Sequence, residues 1–190
     1  MAELSAVQTG PSQEAYKRFR EGEFEGFQDL VRHLKIPVSH FLHIHVGSVS
    51  VATSLTQKVF CEIYQQGHSY PPTNLGCIHI FRIARRFALD HLFLLDLEED
   101  DTGAPIPEDR FLKCLIERPI LPREVVPTFS LKRLRASLQE VPAIFREILF
   151  LRLIADFGQR QIAEILDLDL PTVRARLDYA LLFLHNTNRG

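Results

Sequence analysis

The sequence predicts an all-α protein built from two small helical domains joined by an acidic linker, with a helix-turn-helix in the carboxy-terminal domain. Three observations lead to this prediction. Apolar side chains recur at helical spacing in both halves of the chain. Between the halves, the stretch LDLEEDDTGAPIPEDR is acidic and contains proline and glycine, which interrupts that spacing. Near the carboxy terminus, two short helical patterns flank a tight turn.

The first predicted domain covers residues 14–95 and follows a polar tail, residues 1–13, that we expect to be disordered. Its first apolar stripe fits one helix, or two helices divided near Gly22, and Pro37 is expected to limit it. The stripe consists of Tyr16, Phe19, Phe24, Phe27, Leu30, Val31 and Leu34. A further apolar stretch then runs from Phe41 to Val46.

Two more helices complete the first predicted domain. After Gly47, either Ser50 or Thr53 can cap a helix that ends near Gly67. The loop HSYPPTNLG follows, and its paired prolines and its glycine favour a turn. The last helix of the domain is marked by a one-sided stripe of Ile78, Phe81, Ala84, Ala88, His91 and Leu92.

The acidic linker covers residues 96–127 and has room for one short helix, from Glu108 to Glu117. The second predicted domain covers residues 128–190. Helical spacing resumes there at Leu131, and Pro142 lies at a helix start, where its missing N–H costs no hydrogen bond.

The stretch FGQRQIAEILDLDLPTVRARLDYALLFL is the most informative part of the sequence. Asp167 stands at the expected tight turn, because Asp tolerates a left-handed backbone better than most residues. Asp169 is a good N-cap for the second helix, and Pro171 suits its first turn. This geometry places side chains in the major groove of DNA, whereas the alternative is an ordinary helical hairpin with solvated arginines. The side chains expected to contact DNA are Thr172, Arg174 and Arg176.

Several blocks stand in the order that is typical of one protein family. In the amino-terminal half they are GEFEGFQDLVRHL, SLTQKVFCEIYQQ and IHIFRIARRFALDHL. In the carboxy-terminal half they are LQEVPAIFREILFLRLIADF and EIL-x-L-x-x-x-TVRARL. These blocks resemble the successive helices of the extracytoplasmic-function sigma factors of bacterial transcription. The resemblance covers residues 14–93 and 131–185.

The resemblance implies a transcription factor that binds both core RNA polymerase and promoter DNA. Residues 14–95 resemble sigma domain two, which binds polymerase and the minus-ten element, and residues 128–190 resemble sigma domain four, which reads the minus-thirty-five element. The residues expected to bind polymerase are Leu55, Gln57, Lys58 and Phe60. The spacing of Leu55 and Phe60 also fits a place in the core, so Gln57 and Lys58 are the stronger candidates for partner contact. Those expected to touch the non-template strand are Arg82, Arg85 and Arg86, with Tyr70 stacking on an extruded base. The resemblance also allows an anti-sigma protein as a partner.

Departures from the family pattern define an alternative function. Thr53 and Ser54 stand where relatives carry an acidic pair, and FLLDLEEDD stands where relatives usually carry basic residues. The alternative is a divergent sigma-like transcription regulator, or a protein-interaction module, that no longer docks on polymerase.

Composition narrows the possible functions of the protein further. A formal net charge of −2 gives no global positive field, so any DNA binding must be local. The three cysteines and the lack of a long apolar run predict a cytoplasmic protein with no membrane insertion. No nucleophile with a neighbouring base, glycine-rich phosphate loop or paired catalytic carboxylates stand out, so we expect no enzyme activity and no cofactor.

A cluster of histidines is the one candidate metal site. His40 and His43 could share a helical face, with His45 nearby. No cysteine or carboxylate stands beside them in the sequence, so we expect no metal site and histidines that are half-buried or on the surface.

Overall fold

The computed structural model describes residues 10–66, 76–98 and 141–187, and all regular structure in these ranges is helical. A π-helical turn, Phe150–Ile154, follows α5 directly. The seven α-helices of the described ranges are α1 (Gly10–Arg20), α2 (Phe24–Val46), α3 (Val49–Gln66), α4 (Gly76–Glu98), α5 (Ala143–Leu149), α6 (Gln159–Leu166) and α7 (Leu170–Thr187). The prediction of an all-α fold with a carboxy-terminal helix-turn-helix is confirmed. Within the described ranges, no helix is long and apolar enough to cross a membrane.

The first apolar stripe forms two helices rather than one. Gly22 separates α1 from α2 with a φ of 94°, in the left-handed region that favours glycine. Arg18 stabilises the turn, because its guanidinium forms ion pairs with Glu23 at 2.7 Å and with Asp29 at 3.1 Å. α1 starts earlier than predicted, at Gly10, inside the stretch expected to be a tail.

The expectation that Pro37 limits the second helix is wrong, since α2 continues through Pro37 to Val46. A proline inside a helix costs about 3 kcal/mol, because one backbone hydrogen bond is lost. Val38 and Phe41, which follow it, are both 0% exposed, and burying each such side chain contributes about 1.5 to 3 kcal/mol. The burial of Val38 and Phe41 therefore outweighs the free-energy cost of Pro37. The helix ends instead at Gly47, which has a left-handed φ of 68°.

The start of α3 also differs from the prediction. α3 begins at Val49, so Ser48, rather than Ser50 or Thr53, precedes it. The Ser48 carbonyl accepts the Ala52 N–H at 2.9 Å. Three hydroxyl residues in six positions made the cap ambiguous in the sequence, and the structure uses the earliest of them.

One hydrophobic core joins the amino-terminal and carboxy-terminal helices. Phe41 of α2 packs on Phe81 of α4, with 5.2 Å between ring centres, and on Phe150 of the π-helical turn, at 5.6 Å. Phe81 in turn contacts Phe157, just before α6, at 5.2 Å. All four rings are at most 1% exposed. The described parts of the two predicted domains therefore share an interior.

The predicted limits of the domains remain a prediction. The tail, linker and second-domain boundaries fall largely outside the described residues. The helix predicted from Glu108 to Glu117 and Tyr70, which is predicted to stack on a base, also lie outside them. α4 extends to Glu98, past the predicted end of the first domain at residue 95.

Candidate nucleic-acid and protein interfaces

The helix-turn-helix is formed by α6, a three-residue turn and α7. Asp167 ends α6 in a left-handed conformation, with φ 55° and ψ 48°, as the sequence predicted. Its N–H donates to the Ala163 carbonyl. Asp169 caps α7, because its carboxylate accepts the Thr172 N–H at 2.6 Å. That hydrogen bond lowers the pKa of Asp169. The hydrogen bonds of Asp167 and Asp169 thus stabilise the turn between α6 and α7.

The three candidate base-reading side chains of α7 have different surroundings. Arg174 is exposed, and its Nε–H donates to the Gln159 side-chain carbonyl at 3.2 Å. Thr172 is half-buried. Arg176 is only 6% exposed, and its Nε has no hydrogen-bond partner among the described residues. The first turn of α7 therefore presents Arg174 and part of Thr172 to a ligand, with Arg176 inside.

The burial of Arg176 corrects the expectation that it points away from the apolar face. It follows Val173 by three positions and precedes Ala180 by four, and residues at these separations share a helix face. Val173 and Ala180 are both 0% exposed. The helical spacing itself contained this information, but the charge of arginine argued against burial.

The arginines of α4 are divided between solvent and ion pairs. Arg82 is exposed and forms no ion pair with the described residues. Arg86 is also exposed and pairs with Glu62 of α3. Arg85 is half-buried, and its Nε–H donates to Glu147 of α5 at 3.2 Å. Two of the three arginines predicted to contact DNA are therefore on the surface. The third, Arg85, forms an ion pair with the carboxy-terminal half.

Glu147 is the centre of a buried polar contact that sequence reasoning missed. It is 7% exposed and also contacts His45 of α2, with 3.0 Å between Nε2 and the carboxylate oxygen. Burial alone would raise the pKa of Glu147, but the hydrogen bond with His45 and the charge of Arg85 hold it below its ordinary value. We call Glu147, His45 and Arg85 the clasp.

The signal for the clasp was present but ambiguous in the sequence. His45 drew attention only as part of a histidine cluster, whereas the structure pairs it with Glu147. Among the described residues, no group of three His, Cys, Asp or Glu side chains could hold a metal ion. Glu147 looked like an ordinary polar position, because its partners lie 62 and 102 residues away.

Two of the four residues expected to bind polymerase are not on the surface. Leu55 and Phe60 are 5% and 7% exposed and belong to the core. Gln57 and Lys58 are exposed on α3. Helical spacing explains this division. Leu55 and Val59 are four positions apart and share the buried face of α3, whereas Gln57 and Lys58, which lie between them in the sequence, are exposed.

A groove between α2 and α3 adjoins the exposed side of α3. Its volume is about 700 Å³. Its aromatic wall includes Phe24 and Tyr64, which are 53% and 51% exposed and meet edge to face at 6.2 Å. Gln57 and Lys35 contribute to its polar side. Phe24 belongs to the first apolar stripe that the sequence predicts to be buried, so this exposed wall is a feature that only the structure shows.

Comparison with known proteins agrees with this geometry. Residues 131–184 match the family model for sigma-70, region 4, a stretch that contains α6 and most of α7. Over 168 residues the chain is 21% identical to the ECF RNA polymerase sigma factor SigW of Bacillus subtilis (strain 168), with 85% of this chain and 88% of that protein covered. Together the two matches support a sigma factor of the extracytoplasmic-function type.

The region 4 match includes the helix-turn-helix. α6, the Asp167 turn and most of α7 lie within residues 131–184. The match to SigW covers 85% of the chain and therefore extends well beyond the region 4 stretch. The two matches support a sigma-factor role in transcription.

Proposed function

We propose that this chain is a sigma factor that docks on core RNA polymerase and directs it to promoters by sequence-specific DNA contacts. The observation that carries the proposal is the helix-turn-helix with its Asp167 turn and its Asp169 cap, found inside the stretch that matches sigma-70 region 4. The protein would act in the cytoplasm by binding energy alone, without catalysis. Duplex opening near the start site would follow from docking and DNA binding together.

The minus-thirty-five element is the proposed target of α7. Arg174 is exposed near its amino terminus, and a guanidinium suits the paired acceptors of guanine in the major groove. Thr172 next to it can donate to a base or to a phosphate. Arg176 is the third proposed contact and would have to leave its buried position in order to reach DNA.

The minus-ten region is the proposed target of α4. Arg82 and Arg86 are exposed cations on this helix, and Arg85 lies between them in the clasp. Tyr70, which precedes α4 in the sequence, is proposed to stack on an unpaired base, because aromatic rings stack on any base.

The exposed side of α3 and the adjoining groove are the proposed polymerase-docking surface. Gln57 and Lys58 offer polar contacts, and Phe24 and Tyr64 offer an aromatic wall of the kind enriched in protein interfaces. Thr53 and Ser54 are exposed on the same helix and bring no charge. The buried Leu55 and Phe60 would support this surface from beneath.

Binding to purified core polymerase tests the docking proposal. We expect the parent to bind, Lys58→Glu and Tyr64→Ala each to weaken binding, and Lys17→Glu to leave it unchanged. Lys17 is the matched control, because it is exposed on α1 and does not line the groove. If the parent does not bind, the chain is the divergent regulator or interaction module instead. Equal loss for Lys58→Glu and Lys17→Glu would place docking elsewhere.

A further inference from the structure

Arg174 of α7 is held by a residue of the neighbouring helix. Its Nε–H donates to the side-chain oxygen of Gln159, the first residue of α6, at 3.2 Å. The two residues are 15 positions apart, and the turn at Asp167 lies between them in the sequence. The hydrogen bond therefore joins the start of the first helix of the motif to the amino-terminal part of the second.

The direction of this hydrogen bond fixes the orientation of the Gln159 amide. The Nε of an arginine can only donate, so the amide oxygen must face it. The amide nitrogen, with its two N–H groups, then lies on the other side and makes no hydrogen bond with the described residues. Gln159 thus uses one acceptor within the protein and keeps two donors for a ligand.

The same hydrogen bond limits how Arg174 can bind a base. A guanidinium can present two donors from Nε and one Nη, or from Nη1 and Nη2 at its end. Because Nε is occupied by Gln159, Arg174 keeps the end-on pair, Nη1 and Nη2. The O6 and N7 acceptors of guanine suit such a pair. Arg174 therefore offers DNA one of its two bidentate geometries.

Asp178 is an alternative partner for Arg174 on its own helix. It follows Arg174 by four positions, a separation that places two side chains on one helix face. Burial raises the pKa of Asp178, while the positive charge of Arg174 acts against that rise. Among the described residues the two form no ion pair, and Arg174 is bonded to Gln159 instead. The hydrogen bond with Gln159 therefore directs the guanidinium to α6 rather than to Asp178.

The place of Gln159 in the motif suits its amide nitrogen to the DNA backbone. In helix-turn-helix proteins the second helix lies in the major groove, while the first helix crosses the backbone. Gln159 is the first residue of that first helix, and glutamine side chains are among those that donate to phosphate oxygens. Arg160, beside it, is exposed and adds a positive charge. The two unused donors of Gln159 are therefore available to a phosphate.

We propose that Gln159 is a positioning residue for promoter recognition, which holds Arg174 end-on for a guanine and itself donates to a DNA phosphate. This inference rests on the proposed function of α7. The phosphate holds the Gln159 amide, the amide oxygen holds Nε of Arg174, and Nη1 and Nη2 bind the base. One hydrogen bond thus links a backbone contact to a base contact, so the base preference depends on a residue that touches no base.

The test uses variants of the full-length chain and duplex DNA that the parent selects from a randomised pool, alone or with core polymerase. Gln159→Met removes the amide with little change in side-chain size. Gln159→Glu keeps an oxygen that accepts the Nε–H, but it loses both donors and repels phosphate. Gln161→Ala is the matched control, because the Gln161 amide oxygen accepts the Gly158 N–H at 2.8 Å. This control weakens the start of α6 but keeps the contact between Gln159 and Arg174.

Fluorescence anisotropy measures the affinity of each variant for the selected duplex and for duplexes in which its guanines are replaced one at a time. Gln159→Met should lower the preference for guanine at one position about twofold or more. Arg174→Ala should lower it at the same position about fivefold or more. In the Arg174→Ala background, Gln159→Met should leave the base preference unchanged, because no guanidinium is left to position.

The other two variants separate the roles of the Gln159 amide. Gln159→Glu should keep the base preference, since its carboxylate still accepts the Nε–H, and should bind every duplex more weakly. Gln161→Ala should keep the base preference. Circular dichroism of each variant checks that its helix content matches that of the parent.

Several results would overturn the inference. An unchanged base preference in Gln159→Met, or an equal loss in Gln161→Ala, would show that Gln159 does not position Arg174. The same effect of Gln159→Met with and without Arg174 would show that Gln159 acts through another group. Loss of the preference in Gln159→Glu would exclude the accepted hydrogen bond as the cause, and undiminished binding by Gln159→Glu would exclude the phosphate contact. A parent that selects no sequence from the pool would instead refute the proposed DNA recognition, and this inference with it.

Discussion

His45 and Glu147 meet across 102 residues of sequence, with 3.0 Å between Nε2 and the carboxylate oxygen. The contact belongs to an interface that also includes the Phe41 and Phe150 rings, 5.6 Å apart. The residues of this interface come from both sides, in sequence, of the stretch that is predicted to be a linker. We therefore expect the two halves to stay together when that stretch is cut.

Limited proteolysis checks this independence from the linker. We expect the first cuts to fall within residues 96–127, which are acidic and contain several prolines, and the two fragments to elute together in gel filtration. Glu147→Gln should shift the nicked protein toward separate fragments. Fragments of the nicked parent that separate without denaturant would contradict the shared interior.

The pH dependence of stability checks the ionisation of Glu147. Because its pKa is lower in the folded chain than its ordinary value of 4.5, the carboxylate stabilises the fold above that value, and this contribution is lost as the pH falls through the folded pKa. Glu147→Gln lacks this group and should reduce the free energy of unfolding at pH 7 by about 1 to 3 kcal/mol. Denaturant unfolding of both proteins from pH 7 to pH 3 should show the difference shrinking below pH 4.5. A difference that stays constant with pH would mean that Glu147 is not ionised in the clasp.

Base reading by the helix-turn-helix is checked by Arg174→Ala. If Arg174 makes a bidentate hydrogen bond with a base, the change should cost about 1 to 3 kcal/mol of binding free energy at the preferred minus-thirty-five sequence. It should also relax the base preference at one position. Arg152→Ala is the matched control, an exposed arginine of the same half that pairs with Asp156. A uniform loss across all sequences, with a salt slope smaller by about one, would instead indicate a phosphate contact.

Charge at the proposed docking surface is checked by the pair Thr53→Glu and Ser54→Asp. Since α3 begins at Val49, these positions lie beyond its first three residues, and we expect little effect on helix stability through the helix dipole. The gain should come from attraction to a positively charged partner surface, as a faster association with core polymerase. Stopped-flow binding should show this gain at low salt and its loss near 1 M salt, where the screening length falls to about 3 Å. An equal gain at both salt concentrations would rule out electrostatic steering.

Local patterns predicted the elements well because each depends on neighbours in sequence. The turn at Asp167 and the cap at Asp169 each follow from the backbone preference or hydrogen bonding of one residue. Pro37 was misjudged because its local cost is outweighed by Val38 and Phe41 packing against distant helices.

The candidate sites were harder to predict, because residue type suggests a role but not exposure. Arg176 has the chemistry of a base-reading side chain but is buried. Leu55 and Phe60 lie in the helix predicted to dock on polymerase but belong to the core. The clasp depends on a contact between residues 45 and 147, which no local pattern can indicate. Such long-range pairs arise from how helices pack, and the sequence of either helix alone contains no record of its partner.

Transcription in vitro with purified core polymerase tests the central claim, that this chain is a sigma factor, most directly. A promoter library transcribed with core polymerase and the parent protein should give transcripts from a subset of templates sharing elements near minus ten and minus thirty-five. Arg174→Ala should lower that signal, and Arg152→Ala should not. No template-specific transcript from the parent above core polymerase alone would contradict the account.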